Sequence, residues 1–161
     1  MVKYIHLMCE VYMNRQKMTV CFSDITNFSR LMENLETEVA VGLLQDIFSD
    51  IGDIIEKNDG LIRKYIGDAM LFTFADAQNA VNAVKEIAKV RKVVDEMEVE
   101  THVTAATGEV LVTEIGHKSR KIEDIFGSTV NSAAKLLKIA SANESNYALC
   151  PDTQKFDIPE L

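Results

Sequence analysis

The stretch from residue 61 to residue 74 limits most strongly what this chain can fold into. Two short apolar runs, residues 61–66 and 69–74, are separated only by Gly67 and Asp68. A two-residue gap of that composition suits a tight hairpin turn, so the runs are expected to be adjacent antiparallel strands. Helical patterns flank them. Before the hairpin, apolar residues recur at Val39, Leu43, Ile47, Ile51 and Ile54 or Ile55, and Asn58, Asp59 and Gly60 close the helix. After it, Ala80, Val84, Ile87 and Ala88 carry a second stripe that extends to Val94. Upstream, residues 17–23 are rich in β-branched and aromatic types and stop at Asp24, which reads as a buried strand. Downstream, residues 99–107 read as a fourth strand and residues 108–115 as its continuation into a fifth.

The order strand, helix, strand, strand, helix, strand predicts an α+β fold. Its core is a ferredoxin-like βαββαβ arrangement, with extra strand and helix elements at the C-terminal side. A helical crossover makes strands one and two parallel, so the end of strand one and the turn between strands two and three lie at one end of the sheet. Asp24 and Asp68, distant in sequence, are therefore expected to be neighbours in space. Two close carboxylates repel unless one is protonated or a cation joins them, and hard oxygen ligands favour Mg2+ or Mn2+. Each aspartate also has a simpler reading: Asp24 as the cap of a helix beginning near Thr26, and Asp68 as a turn residue.

Composition narrows the partners. With 161 residues the chain suits one domain, and its 17 basic against 25 acidic side chains give a net charge of -8. A nucleic-acid backbone is repelled by such a surface, whereas a nucleotide chelated by a divalent cation is not. No apolar run approaches the ~18 residues of a membrane span, and no leader pattern opens the chain, so direct membrane insertion is not expected and a cytoplasmic setting is. Cys9, Cys21 and Cys150, and His6, His102 and His117, lack the spacing of a disulfide framework or a zinc site. Residues 1–16 stand apart as a helical lead-in, with Tyr4, Met8, Val11 and Tyr12 at helical spacing, and residues 17–161 form the main domain.

Three blocks carry a family likeness: FSDITNFS at 22–29, IRKYIGDAMLFTF at 62–74 and EDIFGSTVNSAAKL at 123–136. Together they resemble the catalytic core of class III adenylate and guanylate cyclases, over residues 18–153. The resemblance implies that Asp24 and Asp68, with the backbone carbonyl of Ile25, hold two metal ions. It implies that backbone amides near Asn27 and Phe28 cradle the triphosphate, and that Lys64 and Asp124 read the base. A lysine ammonium suits adenine N1 and a carboxylate suits the exocyclic amine, while guanine presents the opposite pattern. Without the likeness, Lys64 reads equally as a strand lysine in a charge pair, and Asp124 as a turn residue.

By the same resemblance, Asn131 and Lys135, four residues apart on one helix face, act on the transition state. The family usually has arginine where Lys135 stands, so the charge is kept and the planar fork is lost. His102 occupies a place where members often have a phosphate-touching arginine, and the chain ends at Leu161 before the terminal hairpin usual in the family. The likeness further implies a head-to-tail homodimer that shares each site between subunits, with a regulatory domain possible outside this chain. The implied activity is conversion of ATP to 3',5'-cyclic AMP and pyrophosphate. The rivals are a degenerate cyclase-like module that binds nucleotide or dimerises for signalling, and a cyclase for another nucleoside triphosphate. A diguanylate cyclase shares the strand order, but YIGDAM replaces its acidic glycine-rich hairpin.

Overall fold

In the computed structural model, which describes residues 13–157, the chain opens with β1 (Met13–Ile25) and two helices, α1 (Phe28–Asn34) and α2 (Thr37–Lys57). The hairpin β2 (Gly60–Ile66) and β3 (Ala69–Phe74) follows, then α3 (Ala77–Ile87). A second hairpin, β4 (Arg91–Val94) and β5 (Met97–His117), leads into β6 (Arg120–Phe126). The chain then continues through α4 (Ser128–Ala140), β7 (Tyr147–Leu149) and α5 (Pro151–Gln154). The strands form one sheet in the order β2-β3-β1-β5-β4, with β6 and β7 also paired to β5. Strands β1, β2, β3 and β5, with the helices between them, are the expected βαββαβ core.

Both faces of the sheet are covered, which is why β1 and β3 read as nearly unbroken apolar runs. Residues Cys21, Ile25, Met70, Phe72 and Phe74 face the helical layer, where Ile47, Ile51 and Ile55 of α2 and Val81, Val84 and Ile87 of α3 close the larger core. The alternate residues Met18, Val20, Phe22 and Leu71 face a smaller core, completed by Val110, Val112, Ile125 and Ala133. The arm formed by the C-terminal half of β5 with β6, together with α4, covers this second face.

The hairpin of residues 60–74 forms as expected. Ile66 pairs with Ala69, and the left-handed backbone of the turn falls on Gly67 at φ 63°. Gly60 is needed for a different reason. A Cβ there would stand 2.5 Å from the Phe74 ring and 2.7 Å from Ile55, where the end of α2 passes over β3.

Several expectations are corrected. Val39 is about half exposed and Ala40 takes its place in the core, because the buried stripe of α2 runs Ala40, Ile47, Ile51, Ile55. Val94 belongs to β4, where Asp95 and Glu96 at φ 47° and 65° form the tight turn into β5. The fourth and fifth strands are one strand, since β1 lies alongside β5 without a break from Met13–Thr113 to Ile25–Thr101. Asp124 lies within β6 rather than in a turn. Of the helical lead-in placed at residues 1–16, residues 1–12 lie outside the described residues, and residues 13–16 are the start of β1. Among the described residues, no helix is long and apolar enough to cross a membrane.

Candidate active site

Asp24 is the penultimate residue of β1, opposite His102 on β5. It continues the series Met18, Val20 and Phe22 toward the second face. Because Ser23 pairs with Met70 of β3, Asp24 lies beside the turn that carries Asp68. The predicted meeting of the two carboxylates at one end of the sheet is what the topology produces. Burial pushes the Asp24 carboxyl up from its ordinary value, and the negative charge of Asp68 adds to the shift. A hydrogen bond from the Ile25 backbone and the field of His102 act in the opposite sense. Among the described residues, no lysine or arginine forms an ion pair with either aspartate.

The turn after Asp24 is tied to β5. Thr26 N–H donates to the Glu100 carbonyl at 2.9 Å, and Glu100 N–H donates to Thr26 Oγ1 at 2.8 Å. Asn27 then adopts the left-handed region at φ 60°, a conformation asparagine tolerates better than most residues. Its side chain does not cap α1 but donates to the Glu98 carbonyl at 3.2 Å. Phe28 begins α1 and packs against the larger core, so the backbone amides at 27 and 28 sit on a braced turn close to Asp24.

Lys64 and Asp124 meet directly. Lys64 Nζ donates to Asp124 Oδ2 at 2.5 Å, and Asp124 Oδ1 accepts from Ile125 N–H at 2.9 Å. The Asp124 side chain is 12% exposed and that of Lys64 36%, so the pair is partly shielded, with the lysine at the wetter side. Beside it, Arg63 donates to the hydroxyl of buried Thr73 and to Glu123, each at 3.0 Å. Sequence reasoning missed this second pair. The one available signal was two successive basic residues inside an apolar strand.

Asn131 and Lys135 lie one turn apart on α4, both exposed. Neither side chain has a hydrogen bond or ion pair among the described residues. The helix is held from its other side, where Thr104 donates to the Ala133 carbonyl and Thr129 to the Glu109 carbonyl. Within one chain the site is therefore in separate pieces: the acid pair, the Lys64–Asp124 pair, and the free polar face of α4. No hydrogen bond or ion pair joins the acid pair to the other two among the described residues.

The acid pair suits a divalent cation in one respect and is incomplete in another. Two adjacent carboxylates without a lysine or arginine partner among the described residues, one of them destabilised in its charged form, suit a hard cation. Yet no group of three or more histidine, cysteine or carboxylate side chains is placed to hold a metal ion among the described residues. The remaining ligands would have to be backbone or substrate oxygens.

Comparison with known proteins identifies the fold and the family. A Mycobacterium tuberculosis protein of uncharacterised function is 28% identical over 141 residues, covering 83% of this chain and 26% of its own length. The chain thus spans about a quarter of the length of the curated relatives it matches. The crystal structure of the adenylyl cyclase CyaB from P. aeruginosa is 28% identical, with a TM-score of 0.73, covering 90% of this chain and 82% of that one. The guanylyl cyclase Cya2 shares the fold at 23% identity and a TM-score of 0.70, covering 91% of this chain and 80% of that one. Residues 11–155 match the family described as the adenylate and guanylate cyclase catalytic domain, and the chain belongs to that family of nucleotidyl cyclases.

Proposed function

We propose that this domain converts ATP to 3',5'-cyclic AMP and pyrophosphate in a cleft shared by two copies of the chain. The observation that carries the choice of base is the Lys64–Asp124 pair. Its ammonium can donate to adenine N1, and its carboxylate can accept from the exocyclic amine, whereas guanine would set donor against donor and acceptor against acceptor. The fixed Asp124 Oδ1, held by the Ile125 amide, leaves Oδ2 and Lys64 as the groups that reach a base.

The other residues fall into place around that reading. Asp24, Asp68 and the carbonyl of Ile25 would hold two Mg2+ or Mn2+ ions. When bound, these ions supply the positive charge that the protein lacks at the phosphates and at the ribose 3'-hydroxyl. The amides at Asn27 and Phe28 face the triphosphate from the turn braced by Thr26 and Glu100. In the reaction the 3'-hydroxyl gives up its proton to solvent, its oxygen forms a bond to the α-phosphorus, the bond from that phosphorus to the β-bridging oxygen breaks, and pyrophosphate leaves. Asn131 orients the ribose, and Lys135 faces the developing phosphoryl charge. Both are exposed and have no side-chain partner among the described residues of the single chain, as residues completing a partner's site would be. A head-to-tail homodimer joins them to the acid pair of the other copy.

A second reading rests on Lys135 and His102, which replace arginines usual in the family. It makes the domain a module that binds nucleotide without turning it over. One assay decides between them. The purified protein is incubated with Mn2+ or Mg2+ and each of ATP, GTP, CTP and UTP, at a concentration where the dimer is shown to form, and cyclic products are identified by mass spectrometry. Cyclic AMP as the main product supports the proposal. A different cyclic nucleotide overturns the assignment of Lys64 and Asp124, and no product with retained nucleotide binding favours the second reading.

A further inference from the structure

Alternation along β2 is broken at one residue, and that break decides where Lys64 points. In β3, Met70, Phe72 and Phe74 face the larger core, while Leu71 and Thr73 face the other side of the sheet. Ile62 pairs with Phe72 and packs against the larger core, but Lys64, two residues on, pairs with Leu71. Two residues that should share a face therefore lie on opposite faces, because Arg63 is an extra residue inserted as a β-bulge. In regular, unbulged pairing of the same chain, Lys64 would share the face of Ile62 and point into the layer of α2 instead of toward β6.

Arg63 is not a loosely held bulge residue. Its side chain is 16% exposed and spans two partners, the hydroxyl of Thr73, a residue only 3% exposed, and the carboxylate of Glu123. An exposed ion pair contributes little, but here removal of the guanidinium also leaves a buried hydroxyl without its donor. The partners are adjacent in both strands: Arg63 and Lys64 on β2, Glu123 and Asp124 on β6. These two strands share no backbone pairing, since β2 pairs with β3 and β6 with β5. Side chains alone hold them together across the second face, with Ile125 and Leu71 in the small core beneath.

We propose that Arg63 is a positioning residue for base selection, locked by Thr73 and Glu123 in the bulge that turns Lys64 toward Asp124. The inference rests on the reading of Lys64 and Asp124 as the base-recognising pair. Loss of the Arg63–Glu123 bridge lets β6 move relative to β2, so that the donor and acceptor no longer match one base edge at once. Discrimination between ATP and GTP then falls while the chemistry at the phosphates is unaffected.

The test uses the purified full chain carrying Glu123→Ala or Arg63→Gln, with kcat/KM measured for ATP and GTP. The ratio of the two is expected to drop about tenfold in each variant, and the double variant is expected to be no worse than the singles, as for one shared interaction. An unchanged ratio, or equal losses with both nucleotides, overturns the inference. If Arg63→Gln fails to fold, Glu123→Ala carries the test, because the Glu123 side chain is 60% exposed. If the unaltered chain makes no cyclic nucleotide, the proposed function fails on its own, and crystal structures of the unaltered chain and Glu123→Ala decide the positioning role. Separation of Lys64 from Asp124 in the variant supports it, and an intact contact overturns it.

Discussion

The two halves of the site differ in how their charges are satisfied. At the end of β1, Asp24 and Asp68 crowd like charges together, with no lysine or arginine paired to them among the described residues and only the field of His102 and the Ile25 backbone hydrogen bond acting against the shift. Between β2 and β6, Lys64 and Asp124 satisfy each other, and Arg63 and Glu123 repeat the arrangement next to them. The first is an electrostatic deficit that a bound cation would relieve. The second is complete before any nucleotide arrives. On the proposed function, such a site would bind its base on preformed groups, and its phosphate end would be relieved only when loaded.

The largest effect that tests this contrast is expected from the acid pair. Asp24→Asn should lower cyclase turnover by about a thousandfold or more, measured as cyclic product per enzyme, since several kcal/mol of charge stabilisation would go with the cation. Retained turnover would break the assignment of Asp24. Next comes the satisfied pair. Lys64→Ala is expected to lower the ATP over GTP preference by about ten- to a hundredfold, and to cost about 1 kcal/mol of stability, because it strands the mostly shielded Asp124 carboxylate. Denaturant unfolding and paired kcat/KM values check both. A smaller gain is expected from Lys135→Arg, which restores a planar fork at an exposed position of α4 that has no side-chain partner among the described residues. A rise in kcat of about tenfold is expected, with KM little changed.

The smallest effect is on folding, and its sign separates the two halves. Because the folded Asp24 carboxyl is raised above its ordinary value of 3.8, the folded state binds more protons than the unfolded state in the pH range just above that value. Stability is therefore lost as pH rises through that range. Asp24→Asn should melt higher than the unaltered chain at neutral pH, and the difference should vanish below pH 3.8. Added Mn2+ should raise the melting temperature of the unaltered chain and not that of the variant. An Asp24→Asn protein that melts lower at neutral pH would show that the carboxylate is stabilised rather than strained.

The acid pair was legible before any coordinates because everything that places it is local or topological. A glycine-bearing two-residue turn sets Asp68, the end of an apolar run sets Asp24, and a helical crossover orients the two strands. The extent of the core was less legible. Val39 matched the helical period as well as Ala40 does, and only packing against β2 and β3 selects the face that is buried. The continuity of β5 through Gly108 was hidden as well, because glycine reads as a break unless a long partner such as β1 holds the strand extended. Asp124 looked like a turn residue for a similar reason, since the charged segment of β6 shows no strand alternation by itself.

The sequence by itself determined the βαββαβ order of the core, the hairpin, the meeting of Asp24 with Asp68, and the spacing of Asn131 and Lys135 on one helix. Periods of two and 3.6 residues, and turn chemistry, act between near neighbours and can be read along a line. Only the tertiary structure decided that β6 crosses the second face to reach β2, that Arg63 is extruded as a bulge, and that Lys64 consequently meets Asp124. Those outcomes depend on pairs 60 residues apart and on a small apolar core that exists only once the sheet has curled around it.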